Sequence, residues 1–149
     1  MATIENIQKL IVRDLDRTIE ELGLHKDEAN LWLKPEGISN SAGNLMLHLC
    51  GNLKHFIGAL LGDTGYIRKR DEEFSLKDIP ATYLKTNLKE SKAVVERTLS
   101  GMQDNQLEED FPIEMFGSKQ TIGFMLLHLA THLNYHLGQI NYHRRLLEG

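Results

Sequence analysis

Seven histidines occur in this 149-residue chain, and six of them fall in two segments: His48 and His55 in one, His128, His132, His136 and His143 in the other. Steps of four, four and seven residues keep the second group near one face of a helix, because four residues advance a helix by roughly 400°. Taking His132 as zero, His128 falls at about −40°, His136 at about +40° and His143 at about +20°. The apolar arc of the same segment (Met125, Leu129, Leu133, Leu137, Ile140) spans about +20° to +140°. These histidines therefore border the face that must be buried. His48 and His55, seven apart, border a second arc made of Leu45, Leu49, Leu53 and Phe56.

An imidazole placed inward is costly unless its nitrogens find partners, and one divalent ion satisfies several of them together. Two histidines at i and i+4 converge on one ion, and a third from a facing helix completes a three-histidine site with a position left open for water or substrate. Imidazole nitrogen suits zinc or nickel. A lone inward histidine is ordinarily a hydrogen-bonded core residue. Two overlapping HxxxH pairs opposite inward histidines on a second helix favour the metal instead. Spacing leaves His128/His132 and His132/His136 equally open as the ligating pair. His55 and His143 read as pocket-rim or solvated residues, and His25 as a loop residue without a role.

Other chemistries lack their residues. Leu133, Asn134 and Tyr135 separate His132 from His136, so the general base of an HExxH site is missing. No Glu-x-x-His occurs, and the last segment has no carboxylate before Glu148, against a carboxylate-bridged di-iron centre. Cys50, two residues from His48, points to the other side of its helix as a buried structural thiol. Neither a phosphate-binding glycine loop nor a GxSxG elbow is present.

The elements that must position these side chains are helices. Periodicity predicts one from about Thr3 to Leu22 (Ile4, Ile7, Ile11, Leu15, Ile19), with Gly23 as its C-terminal cap. A second runs from about Ser41 to Leu61, opened by Ser39-Asn40-Ser41 and closed by Gly62. A third begins at Pro80 and uses Leu84, Leu88, Val95 and Leu99 before Gly101. The fourth and longest spans about Lys119 to Leu147, behind a Ser118 or Thr121 cap. The FPIEMF stretch (Phe111–Phe116) reads as a short extended piece before it. The expectation is a single all-α domain over residues 1–149, a four-helix bundle. Its links of about 17 residues exceed the roughly 2–8 usual in compact bundles, so crossovers between parallel neighbours are open to it.

A net charge of −4 with 41% hydrophobic and 26% charged residues fits one folded domain and disfavours nucleic acid, whose phosphates need concentrated Lys and Arg. Arg68-Lys69-Arg70, followed at once by Asp71, Glu72 and Glu73, reads as a solvated loop. No apolar run approaches a membrane span, the N-terminal stretch lacks the apolar block of a signal peptide, and one cysteine makes no internal disulfide. A cytoplasmic protein without membrane association is the expectation.

Asn40–Gly62 (NSAGNLMLHLCGNLKHFIGALLG) and Leu126–Leu147 (LLHLATHLNYHLGQINYHRRLL) resemble the DinB-like superfamily, particularly a bacterial branch carrying HLNYHLGQI. The family pattern is one histidine early in helix two and an HxxxH followed by x-Gly-Gln in helix four. The resemblance therefore implies a metal on His48, His132 and His136, with His136 directly before Leu137-Gly138-Gln139. Many relatives carry a second histidine just before the last ligand, where this chain has Tyr135. Also implied are a crossover, with up-down-down-up among the orders it allows, and a homodimer, which Leu127 on the outer side of helix four would fit. Relatives include thiol-dependent isomerases and transferases that use the metal to activate a low-molecular-weight thiol.

On this reading the ion activates a water or a low-molecular-weight thiol against a small-molecule substrate. His128, one turn before His132, serves as proton carrier or as a partner to a ligand, with a hydrogen-bonded core histidine equally open. Asn52, one turn after His48, and Gln139 orient a ligand or contact substrate, with a hydrogen bond to a neighbouring helix the alternative for Gln139. The alternative is a non-catalytic helical protein, either metal-stabilised and small-molecule-binding or dimerising.

Overall fold

The computed structural model describes residues 3–149; residues 1–2, included in the span expected for the domain, lie outside the described residues. Five α-helices form: α1 (Ile4–Leu24), α2 (Ala42–Leu53), α3 (Arg70–Ser75), α4 (Ala81–Ser100) and α5 (Ile122–Glu148). Single 3-10 stretches, Glu28–Trp32 and Asp104–Glu108, lie in the first and last links. The four long helices are those the periodicity predicts. Their N-termini are closed by side-chain oxygens of Thr3, Ser41 and Thr121, which accept from the backbone N–H of Asn6, Asn44 and Phe124. Only Pro80, which begins α4, lacks such a cap.

Three expectations need correction. Gly23 lies inside α1, which continues to Leu24 and ends as His25 turns extended. The second predicted helix is not uniform: after Leu53 the backbone widens into a π-helical stretch, Lys54–Ala59. FPIEMF is no strand; two single bridges, Asp110 with Thr121 and Met115 with Ser118, pin it as a turn in which Phe116 and Gly117 take positive φ. Among the described residues no helix is long and apolar enough to cross a membrane.

Side-chain pairings give the helix directions. Gln8 meets Ser100 and Asp16 meets Lys92, so α1 and α4 are antiparallel. Asp14 accepts from Asn134, and Glu21 from Asn141 and Arg144, so α1 and α5 are parallel. Lys54 reaches Asn87 and Glu90, Gly58 faces Val94 and Gly62 faces Thr98, so the second helix runs with α4. The order is up-down-down-up. The chain between the two parallel helices must therefore return along about 27 Å of helix, at 1.5 Å per residue, and this crossover carries α3.

The core is contributed by all four long helices: Ile7, Ile11 and Leu15; Leu49, Leu53 and Ile57; Leu84, Leu88 and Leu99; Met125, Leu129 and Leu133 are all buried. Each such side chain contributes about 1.5–3 kcal/mol on burial, so the helices that hold the histidines are fixed by their apolar arcs.

Candidate metal centre

The edge of the core between α2 and α5 is where the two histidine groups meet. Nε2 of His132 lies 3.1 Å from Nε2 of His48 and 3.1 Å from Nε2 of His136. The three residues offer ligand atoms all within 4.8 Å of one another, the one such His/Cys/Asp/Glu group among the described residues. His48 is buried, while His132 and His136 are half-buried, so the cluster opens along the α5 side.

The outer nitrogens fix the tautomers. His48 Nδ1 is 3.0 Å from Glu73 Oε1, and a carboxylate can only accept, so the imidazole donates from Nδ1. His136 Nδ1 donates to Gln139 Oε1 at 2.7 Å. Both rings therefore turn the lone pair of Nε2 toward His132. His132 has at most one proton to place between them, and its own Nδ1 is buried without a partner. Three converging nitrogens have at most one proton for two close contacts, and a single divalent cation would satisfy all three. The residues present fit a metal.

Electrostatics favour the neutral form of His132 and His136, the form in which imidazole ligates. Burial, then the charges of His136, His48, His128 and Arg68, push the pKa of His132 down to about 3. Burial lowers His136 too, against the opposing hydrogen bond to Gln139. Burial disfavours the Glu73 carboxylate, but the hydrogen bonds from His48 and Arg68 outweigh it and hold the group below its ordinary value.

Glu73 and Arg68 are the residues that the sequence reading missed. The supposed solvated loop is the crossover: α3 buries Glu73 over α2, and Arg68 clamps it through Nε to Oε2 and Nη2 to Oε1, each at 2.9 Å. Asn44 Nδ2 ties the segment down at the carbonyls of Glu73 and Leu76. The available signal was Gly51. A glycine inside a helix costs about 1 kcal/mol relative to alanine, and here a Cβ at residue 51 would collide with the Glu73 carboxylate.

His128 lies one turn from His132 with ring centroids 6.2 Å apart, outside the three-nitrogen cluster and against Phe116, 4.9 Å away. Asn52 is buried and its Oδ1 has no partner. Gln139 contacts His136 within its own helix and not a neighbouring one. His55 packs on Phe56 with Nδ1 buried and unpartnered. His143 lines the cleft beside His136, as a rim residue would, and is not solvated: it is buried and bonded through Nε2 to the Leu33 carbonyl at 2.8 Å. His25 Nδ1 bonds the Glu21 carbonyl. Cys50 is buried, and burial pushes its thiol up to about 12, so no thiolate is available there.

A cleft of about 490 Å³ starts at His136 and Gln139 and runs beside α5 between Ile38, Leu45, Tyr135 and Tyr142. A groove of about 560 Å³ between the start of α1 and the end of α4 has no histidine in its walls.

Residues 10–140 match the family model described as the DinB superfamily. The chain matches none of the curated proteins compared with it.

Proposed function

The chain belongs to the DinB superfamily, and from that membership we propose that it is a metal-dependent enzyme of the HLNYHLGQI branch, with His48, His132 and His136 holding one zinc or nickel ion. The observation that supports this most is the approach of three Nε2 atoms, two of them with lone pairs turned inward by Glu73 and Gln139. Such an ion, when bound, supplies Lewis acidity that lowers the pKa of a water or a low-molecular-weight thiol and makes a nucleophile near neutral pH. The reaction class is hydrolysis or thiol transfer.

The chain's own residues do the rest. The cleft beside His136 takes a small-molecule substrate, with Tyr135 and Tyr142 as its aromatic wall and Ile38 and Leu45 opposite. His128, half-buried and without a hydrogen bond from its ring, carries a proton between the reacting group and solvent. Asn52 offers its unpartnered Oδ1 to a ligand. The outward face of α5, with Leu127 exposed, is where we place the contact of a cytoplasmic homodimer.

The test is metal content by plasma mass spectrometry on tag-free protein beside a His132→Ala control, followed by thiol-transfer and hydrolytic substrate screens. One zinc or nickel per chain, lost in the variant, is expected. No metal after reconstitution would demote the histidines to core residues and remove the enzyme reading.

A further inference from the structure

We propose that Glu73, carried by the crossover, is the positioning residue of His48, and that its docking over α2 sets how strongly the three-histidine site holds a divalent cation. The inference rests on the three-histidine reading and concerns residues that the reading leaves outside the ligand set.

The three rings are supported unequally. His136 gives its Nδ1–H to a neutral amide oxygen, and His132 has no partner at Nδ1. His48 alone faces a carboxylate, at 3.0 Å. A carboxylate on the far nitrogen fixes the tautomer, stops ring rotation and makes the near nitrogen more electron-rich, and removing such a partner typically costs 10–100-fold in metal affinity. The carboxylate is itself aimed. Arg68 holds both of its oxygens, so Oε1 is shared between the guanidinium and the imidazole and cannot swing away. Arg68 Nη2 lies 3.4 Å from His48 Nδ1; with Nδ1 protonated these are two donors converging on one acceptor.

Three further features surround this contact. Gly51 leaves the space that the Glu73 carboxylate fills. Asn44, one turn before His48, bonds two carbonyls of the crossover. Phe74 packs its ring 4.9 Å from the His48 ring, closing the side away from α5. A purely structural ion pair between Arg68 and Glu73 would need the space at Gly51, but neither a carboxylate oxygen nor the Phe74 ring set against His48.

The experiment compares wild type, Glu73→Ala and Glu73→Gln. Zinc affinity is measured by competition with a chromophoric chelator, and histidine tautomers by long-range proton–nitrogen NMR on the metal-free proteins. Glu73→Ala is expected to bind zinc 10–100-fold more weakly and to lose the fixed Nδ1–H form of His48. Glu73→Gln keeps an acceptor oxygen and should recover part of both. Helical circular dichroism checks that the variants are folded, and the tautomer readout is one that a merely structural role would not move. Wild-type protein that binds zinc, with Glu73→Ala binding equally tightly or keeping the His48 tautomer, overturns the role given to Glu73. Wild-type protein that takes up no zinc overturns the three-histidine reading itself.

Discussion

Glu73 fills the space that a side chain on Gly51 would need: its carboxylate lies where a Cβ at residue 51 would be placed. The two residues belong to different elements, α3 in the crossover and the middle of α2. Their contact lets a charge from the connecting segment reach the buried nitrogen of His48.

Alanine at residue 51 would ordinarily strengthen a helix by roughly 1 kcal/mol. Here it must displace a buried, clamped carboxylate, and overpacking of this kind costs about 1–3 kcal/mol. Gly51→Ala should therefore lower stability in urea titrations and weaken zinc binding together. A variant more stable than wild type with unchanged affinity would contradict the close approach.

Loading the site should raise the melting temperature. Zinc at 100-fold excess over its dissociation constant adds about 2.7 kcal/mol, which for a chain of this size is a shift of roughly 5–10 °C. His48→Ala and His136→Ala should lose both the shift and stoichiometric metal in calorimetry. Retention of the full shift in either variant would remove that residue from the ligand set.

The pH dependence of the metal-free protein follows from His132. Its ring titrates at about 3 when folded and near 6.5 when unfolded, so between those values the unfolded chain binds the extra proton. Stability is fully present above about 6.5 and falls as the pH drops toward 3. His136 and His143, both lowered chiefly by burial, act in the same direction. Melting curves at pH 7.5 and 5.5 should differ, with the lower pH less stable and the difference reduced in His132→Gln. Equal curves would refute the burial argument.

His128 separates proton transfer from metal binding. His128→Gln should keep its zinc, since the ring lies outside the cluster, and lose about 10²–10⁴-fold in turnover of any substrate found by screening. Loss of metal in this variant would show that His128 belongs with the ligands.

Asp14 tests the frame and spares the site. It is 2% exposed and accepts from Asn134 and Arg13. Asp14→Ala removes the charged acceptor of the Asn134 bond across the α1–α5 seam, and a hydrogen bond to a charged group is worth about 1.5–3 kcal/mol. Chemical denaturation should register that loss while zinc stoichiometry stays at wild type. A variant that keeps its stability but loses zinc would place Asp14 in the metal site.

The four long helices were legible because every turn repeats the evidence: Ile4, Ile7, Ile11 and Leu15 state α1 several times over. The histidines were legible for the same reason, since spacing on a regular helix converts directly into direction. Spacing could not choose His136 over His128 as partner of His132; the family motif chose it. What escaped was non-periodic. Arg68 to Glu73 has the composition of a solvated turn, and its middle residues are exposed, but the burial of Glu73 at its end follows from the crossover, a long-range property that no local pattern carries. The π stretch at Lys54–Ala59 escaped for the opposite reason, because a helical wheel assumes the regular pitch that this segment abandons.

The seam between α1 and α5 bears on alignment as well as stability. Asp14 and Glu21 are seven residues apart, as are their partners Asn134 and Asn141. The buried Leu126, Leu133 and Ile140 also repeat at seven, so that one row of contacts would accept α5 displaced by two turns. The polar pairs would not. Shifted one way, Asp14 would face Leu127; shifted the other, Glu21 would face Glu148. Each leaves a buried charge without a suitable partner. The seam works as a vernier on a row of apolar teeth that is degenerate by itself, and its setting is the one that brings His132 and His136 level with His48.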